Sequence, residues 1–362
     1  MPVEVESDMR DADIVPSRKR TTTECLQPLL RSMRLFGLYF SRPESDKKSC
    51  KWNGWMIHAV FVVALLWINF VRMLSVFTSD DEFGLILLNK MIFVIWSFQC
   101  AVSQTAFYAA SHLGRLQQVL LKIKLSDECA KYLRRIANIY TAVAWSLISI
   151  FSAFFVYGIF FAGGFMDLMA APLQIHVTIS NLLIPRIFLY VLTFYLLSAH
   201  IFPQLMTFLL AKLITFQFKF VEKELARCLD SQDGLVGDSE IETIRLQHQK
   251  IAMCVSHIDD CLMFSNASAF CCQLSCFIIN LYMLVFYNAA ISDPVVISAY
   301  AFWTILMSVG LTFTAAGGIM INHYVSKLSV FTFSLFCSVQ LYYGRVIMYF
   351  RVLLCIFQGL CW

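Results

Sequence analysis

Residues Leu183 to Ala211 read LIPRIFLYVLTFYLLSAHIFPQLMTFLLA and are apolar on every side. A helix rises about 1.5 Å per residue, so this stretch exceeds the roughly 30 Å hydrocarbon core of a bilayer. A surface helix of a soluble domain keeps a polar face, so this run, long enough to cross the bilayer, reads as a membrane span. It flows into Lys212, Phe216, Lys219, Lys223 and Arg227 with helical patterning intact, which predicts an amphipathic continuation beyond the membrane. Pro185 suits the first turn, where a missing N–H matters little, and Pro203 lies inside and is expected to kink the helix.

Six further apolar runs accompany it. The spans are expected at about 54–77, 83–112, 135–161, 183–211, 265–288, 294–318 and 328–359. The chain is 59% hydrophobic and 14% charged over 362 residues, with mean hydropathy +0.68. That balance excludes a soluble domain and predicts an all-α polytopic membrane protein. The N-terminal 51 residues lack the short apolar core of a cleaved signal peptide. Basic residues lie beside the membrane and are not interleaved with aromatics, so no nucleic acid is expected as a partner. None of the 13 cysteines forms a CxxC pair. The one tight cluster, Cys271, Cys272 and Cys276, sits in an apolar helix and reads as buried thiols in preference to a metal site.

Lys and Arg give the orientation. Ten fall in residues 1–53, six in 113–135, six in 212–264 and one in 319–327. The alternating loops 78–82, 162–182 and 289–293 contain none. The positive-inside rule then places the N-terminus in the cytoplasm, and seven spans place the C-terminus outside. Arg72, Lys90 and Arg186 fall near outer helix ends and are expected to snorkel to that interface. The expected organisation is a cytoplasmic segment at 1–53, a membrane domain at 54–327 and an atypical seventh span with the C-terminus at 328–362. Met1 to Thr23 is expected to lack order. Cys25 to Phe40 is amphipathic and is expected along the inner membrane surface. In 212–264 a Gly- and Asp-rich turn is followed by Ile244, Ile251, Val255, Ile258 and Leu262 at helical spacing. This predicts two cytoplasmic helical extensions, of spans four and five, packed on each other.

No enzyme signature is present: the seven His are scattered, and there is no HExxH, nucleophile elbow or phosphate-binding glycine loop. No cofactor is expected. Acidic residues are nearly absent from the spans, which disfavours ion-coupled transport. Polar and aromatic groups do collect in the spans. They include Gln99 on span two, Tyr157 on three, Tyr190 on four, Asn280 and Tyr287 on five, and Trp303 and Thr304 on six. Amides bonding hydroxyls and rings covering apolar faces would suit a small uncharged polar ligand. Interhelical hydrogen bonding and interfacial aromatics account for the same residues without a ligand. Thr314, Ala315, Gly317 and Gly318 form a small-residue patch, read as close helix packing.

Seven spans with an internal N-terminus are the reverse of a G-protein-coupled receptor, and this topology resembles the insect-type gustatory and odorant chemoreceptors. Three segments carry the resemblance. Arg34–Phe40, RLFGLYF, resembles the Phe-Gly segment before the first span of gustatory receptors. His248–Leu274, HQKIAMCVSHIDDCLMFSNASAFCCQL, is similar to their stretch entering span five, in the manner of the sugar-receptor branch. Phe302–Lys327, FWTILMSVGLTFTAAGGIMINHYVSK, follows their pattern of Trp, then Gly, then small residues, then a polar inner end. The resemblance spans about residues 25–327. It implies a ligand-gated non-selective cation channel in the plasma membrane, a homo- or heterotetramer surrounded by membrane lipids. The implied ligand is a small-molecule tastant, with sugars favoured, bound in an outer pocket among spans two to six.

The C-terminus departs from that family. Gustatory receptors end in Thr-Tyr, five hydrophobic residues and Gln-Phe, whereas this chain has no Thr-Tyr step and reads Phe357-Gln358. Arg345 and Arg351 interrupt the seventh span, at about 2.5–3.5 kcal/mol each at mid-bilayer. No pore residues are assigned. A metabotropic seven-helix receptor and a membrane carrier remain the alternatives.

Overall fold

The computed structural model describes residues 21–40, 54–77, 84–123, 125, 127–160, 183–230, 238–286 and 294–335. Among them there is helix but no strand. The elements are α1 (Thr22–Cys25), α2 (Gln27–Leu35), α3 (Gly54–Leu74), α4 (Leu85–His112), α5 (Arg115–Lys122), α6 (Asp127–Phe160), α7 (Leu183–Asp230), α8 (Asp238–Phe286) and α9 (Pro294–Leu335). Six of these, α3, α4, α6, α7, α8 and α9, are long and apolar enough to cross a membrane. The chain is an all-α membrane protein. Helix α9 runs without a break through 319–327, expected as an inner link, as far as Leu335, and the rest of the expected seventh span lies outside the described residues.

Burial separates inner from outer helices. In α7, 78% of the most apolar window is buried, against 28% in α3. Helix α4 packs on α3, α7 and α8, while α9 packs on α7 and α8, and α6 packs on α7. On α3 the residues Ile57, Phe61, Ile68 and Val71 stay exposed. An exposed apolar face is what a helix bordering lipid presents, since hydrocarbon tails solvate it as well as protein does. The small-residue patch of α9 turns Gly317 toward α7 but leaves room for a side-chain carbon there. A methyl group on Gly317 would meet Ala211 Cβ of α7 at 3.5 Å, ordinary contact distance.

The N-terminal helices pack into the bundle through their apolar face, while Gln27, Arg31 and Leu35 stay exposed. Thr21 caps α1 in a reciprocal box with Glu24, each accepting from the other's backbone N–H at 3.3 Å. The Thr22 hydroxyl donates to Ile123 O at 2.8 Å, tying α1 to the end of α5. Leu26, Leu29, Met33 and Leu38 are fully buried, and α2 lies against α6 and α7. The cause is the breadth of the apolar face, since Leu26, Leu29, Leu30, Met33 and Phe36 together need more cover than one interface supplies. Gly37 ends α2 at φ 69°, and Leu38 N donates back to Met33 O at 2.9 Å, closing a Schellman-type cap. The backbone of this corner is held by the bundle. Gln104 Nε2 donates to Phe36 O at 3.2 Å, and a His58 ring nitrogen contacts Leu35 O at 3.0 Å. Trp145 Nε1 donates to Ser32 Oγ at 3.0 Å.

Helix α7 continues through Pro203 as one element of 48 residues, and α8 has 49. The two extensions pack on each other as the periodicity predicts. Phe218 and His248 bring their rings to 5.8 Å, and Val221, Leu225, Ile244, Val255 and Ile258 share the core.

Candidate aromatic and amide site

Asn89, Phe93 and Trp96 recur at helical spacing on α4, and Tyr300, Trp303 and Met307 do so on α9, so each set shares a face. These faces meet. The Trp303 ring lies 5.0 Å from Trp96, 5.9 Å from Phe93, 6.0 Å from Phe151 and 6.3 Å from Phe155. Trp96 in turn stacks on Phe155 at an interplanar angle of 15°. Helices α4, α6 and α9 thus wall an aromatic box around one indole. The Tyr300 hydroxyl donates to Asn89 Oδ1 one turn away. Trp303 is 8% exposed, and its buried Nε1–H has no hydrogen-bond partner among the described residues.

The candidate residues from the sequence are distributed over this arrangement. Trp303 is central to the box. Thr304 adjoins it, with its hydroxyl donating to Tyr300 O at 2.8 Å. Asn280 is buried, donating through Nδ2 to Cys276 O at 2.9 Å and leaving Oδ1 without a partner among the described residues. Gln99 is 1% exposed, with neither amide atom partnered among the described residues. Tyr157 is half-buried near the end of α6. Tyr190 belongs to a different cluster: its ring is 6.1 Å from Phe194, which joins Phe36, Trp145 and Phe202 around the end of α2. Tyr287 lies outside the described residues.

A small crevice backs onto the box between α3, α4 and α7, with Phe93 and Trp96 in its wall. Asn69 Nδ2 donates to Ser97 Oγ at 3.1 Å, and Arg72 donates to Asn69 Oδ1 through Nη2 at 2.8 Å and Nε at 3.2 Å. Arg72, in the last turn of α3, is therefore turned onto its own helix and is half-buried. Lys90, also expected at the interface, is buried at 6% exposure because the face of α4 that carries it points into the bundle.

Sequence reasoning missed Phe93, Trp96, Phe151 and Phe155, which are unremarked members of Phe-rich runs. It also missed Gln204 and Gln273. A lone amide inside an apolar run was the available signal for both, since such a group must find a partner or pay for its burial. Both face Gly310: a methyl group there would lie 2.8 Å from Gln204 Oε1 and 3.1 Å from Gln273 Oε1. One rung away, Thr207 Oγ1 donates to Asn266 Oδ1 at 3.1 Å, so α7 and α8 are joined directly there.

No protein-family model matches the chain, and no curated protein matches it.

Proposed function

We propose that the chain is a chemosensory receptor of the gustatory type, acting as a ligand-gated non-selective cation channel in the plasma membrane. The observation that carries this reading is the buried indole N–H of Trp303, unpartnered among the described residues and walled by rings from two neighbouring helices. Such a group is ready to donate to a ligand oxygen, and the rings cover a ligand's C–H faces. A neutral hydroxylated molecule of the sugar class matches that chemistry. The Lys and Arg asymmetry supports a cytoplasmic N-terminus, with the packed extensions of α7 and α8 on the same side. In this reading the subunits form a homo- or heterotetramer, and ligand opens the channel only by its differential affinity for the open arrangement.

An epitope tag at the N-terminus, stained on intact and then permeabilised cells, tests the topology. Staining only after permeabilisation, with the protein at the surface, is expected. Staining of intact cells refutes the chemoreceptor reading and favours a metabotropic receptor. Sugar-evoked current with G-protein signalling blocked is the second expectation, and saturable solute flux without current identifies a carrier instead.

A further inference from the structure

Gln273 of α8 is fully buried, and neither its amide oxygen nor its amide nitrogen has a partner among the described residues. Gln204 of α7 leaves its buried Nε2 in the same condition. The two carboxamides converge on the bare backbone of α9 at Gly310, where a methyl group would meet Gln204 Oε1 at 2.8 Å and Gln273 Oε1 at 3.1 Å. Two helices thus bring amides to one point, and the residue opposite, on a third helix, has no side chain. A direct bond between the two amides would satisfy one donor and one acceptor. Even a reciprocal pair of bonds, each Nε2 donating to the other Oε1, would leave the second N–H of each amide unserved in an apolar bundle, where an unmade hydrogen bond is costly.

We propose that Gln204 and Gln273, closed by Gly310, form a buried site for a small neutral hydroxyl-bearing molecule: a water, or the hydroxyl of a small polyol. The chemistry selects that class. The occupant must donate to the amide oxygens and accept from the amide N–H groups, and a hydroxyl does both. A cation would leave the N–H groups unserved, and an anion would face the oxygens. A buried water commonly makes two to four such bonds, roughly the number these amides offer. The site is separate from the Trp303 box, since Gly310 lies seven residues along α9 from Trp303, about 10 Å. It does not depend on the chain being a channel or a receptor. The neighbouring Thr207–Asn266 pair closes directly and needs no third party. The occupant therefore completes a polar rung between α7 and α8 that lacks direct closure among the described residues.

The test is a density map of the full-length protein in lipid nanodiscs, at a resolution that shows ordered water, recorded with and without glycerol. A compact peak within hydrogen-bonding distance of both carboxamides in both maps is expected and identifies water. An elongated peak seen only with glycerol also supports the site and identifies a polyol. The two glutamines bonded to each other, with no peak between them in either map, overturns the proposal. A Gly310→Ala variant adds a methyl group against both amide oxygens, so the peak should vanish or move and the apparent Tm should fall. Retention of both the peak and the wild-type Tm would overturn the part assigned to Gly310.

Discussion

Two glycines with almost the same backbone angle allow strain and crowding to be separated. Gly37 has φ 69° and Gly114 has φ 66°, both in the left-handed region. Alanine at either position carries the left-handed penalty of about 1–2 kcal/mol. At Gly114 nothing lies within 4 Å of the added methyl group, so that penalty is the whole effect. At Gly37 the methyl group would lie 3.0 Å from Ala59 Cα and 3.4 Å from Gln104 Nε2. The first neighbour is backbone of α3 and cannot swing away, so overpacking adds about 1–3 kcal/mol. Displacing Gln104 weakens its bond to Phe36 O, worth a further ~1 kcal/mol. Gly37→Ala should therefore destabilise by roughly 3–6 kcal/mol and Gly114→Ala by about 1–2 kcal/mol. Thermal unfolding of the detergent-solubilised protein, followed by the monodisperse fraction remaining after heating, measures the difference. If Gly37→Ala melts no lower than Gly114→Ala, the tight seating of the α2 corner against α3 is refuted.

Outcomes at three further positions are expected. Trp303→Ala should cost about 3–5 kcal/mol in the same assay. Trp303→Phe should stay within ~1.5 kcal/mol, because it keeps a ring and deletes an N–H that no described residue uses. In ligand titrations Trp303→Phe should nonetheless weaken potency about tenfold, equivalent to one hydrogen bond; unchanged potency would remove Trp303 from the site. Asn69→Ala takes away the acceptor for two Arg72 N–H groups in a half-buried setting, and a loss of about 1.5–3 kcal/mol is expected by thermal unfolding. Arg245→Ala breaks an ion pair with Glu242 that is close to half exposed, and its melting curve should superimpose on wild type.

Six of the seven expected spans were legible because an uninterrupted apolar run has few alternatives to a membrane helix. Three of the expected starts, Gly54, Leu183 and Pro294, coincide with helix starts in the structure. Glycine and proline mark two of them. The packing of α7 on α8 was legible too, since Ile244, Ile251, Val255 and Ile258 define a stripe that needs a partner. The position of the N-terminal helices was not. An amphipathic pattern reveals that a face must be covered and is silent on whether lipid or protein covers it. The candidate site was legible residue by residue but not as a set. Tyr190 and Trp303 read alike, as aromatics in apolar helices. Only the rotation of α7 and α9 about their axes sends one to the Phe36 cluster and the other to the α4 box. Gln204 and Gln273 escaped notice because each stands alone in its run, and Gly310, which unites them, is on a third helix.

The length of α7 has a mechanical consequence. Its 48 residues span about 72 Å, and a bilayer interior accounts for roughly 30 Å of that. The remainder is a lever arm of about 40 Å, stiffened by α8 along the Phe218–His248 contact. A tilt of about 5° at the membrane carries the tip of such an arm sideways by about 3–4 Å, close to half the distance between packed helix axes. A small tilt of α7 within the bundle is therefore magnified at the Phe218–His248 end.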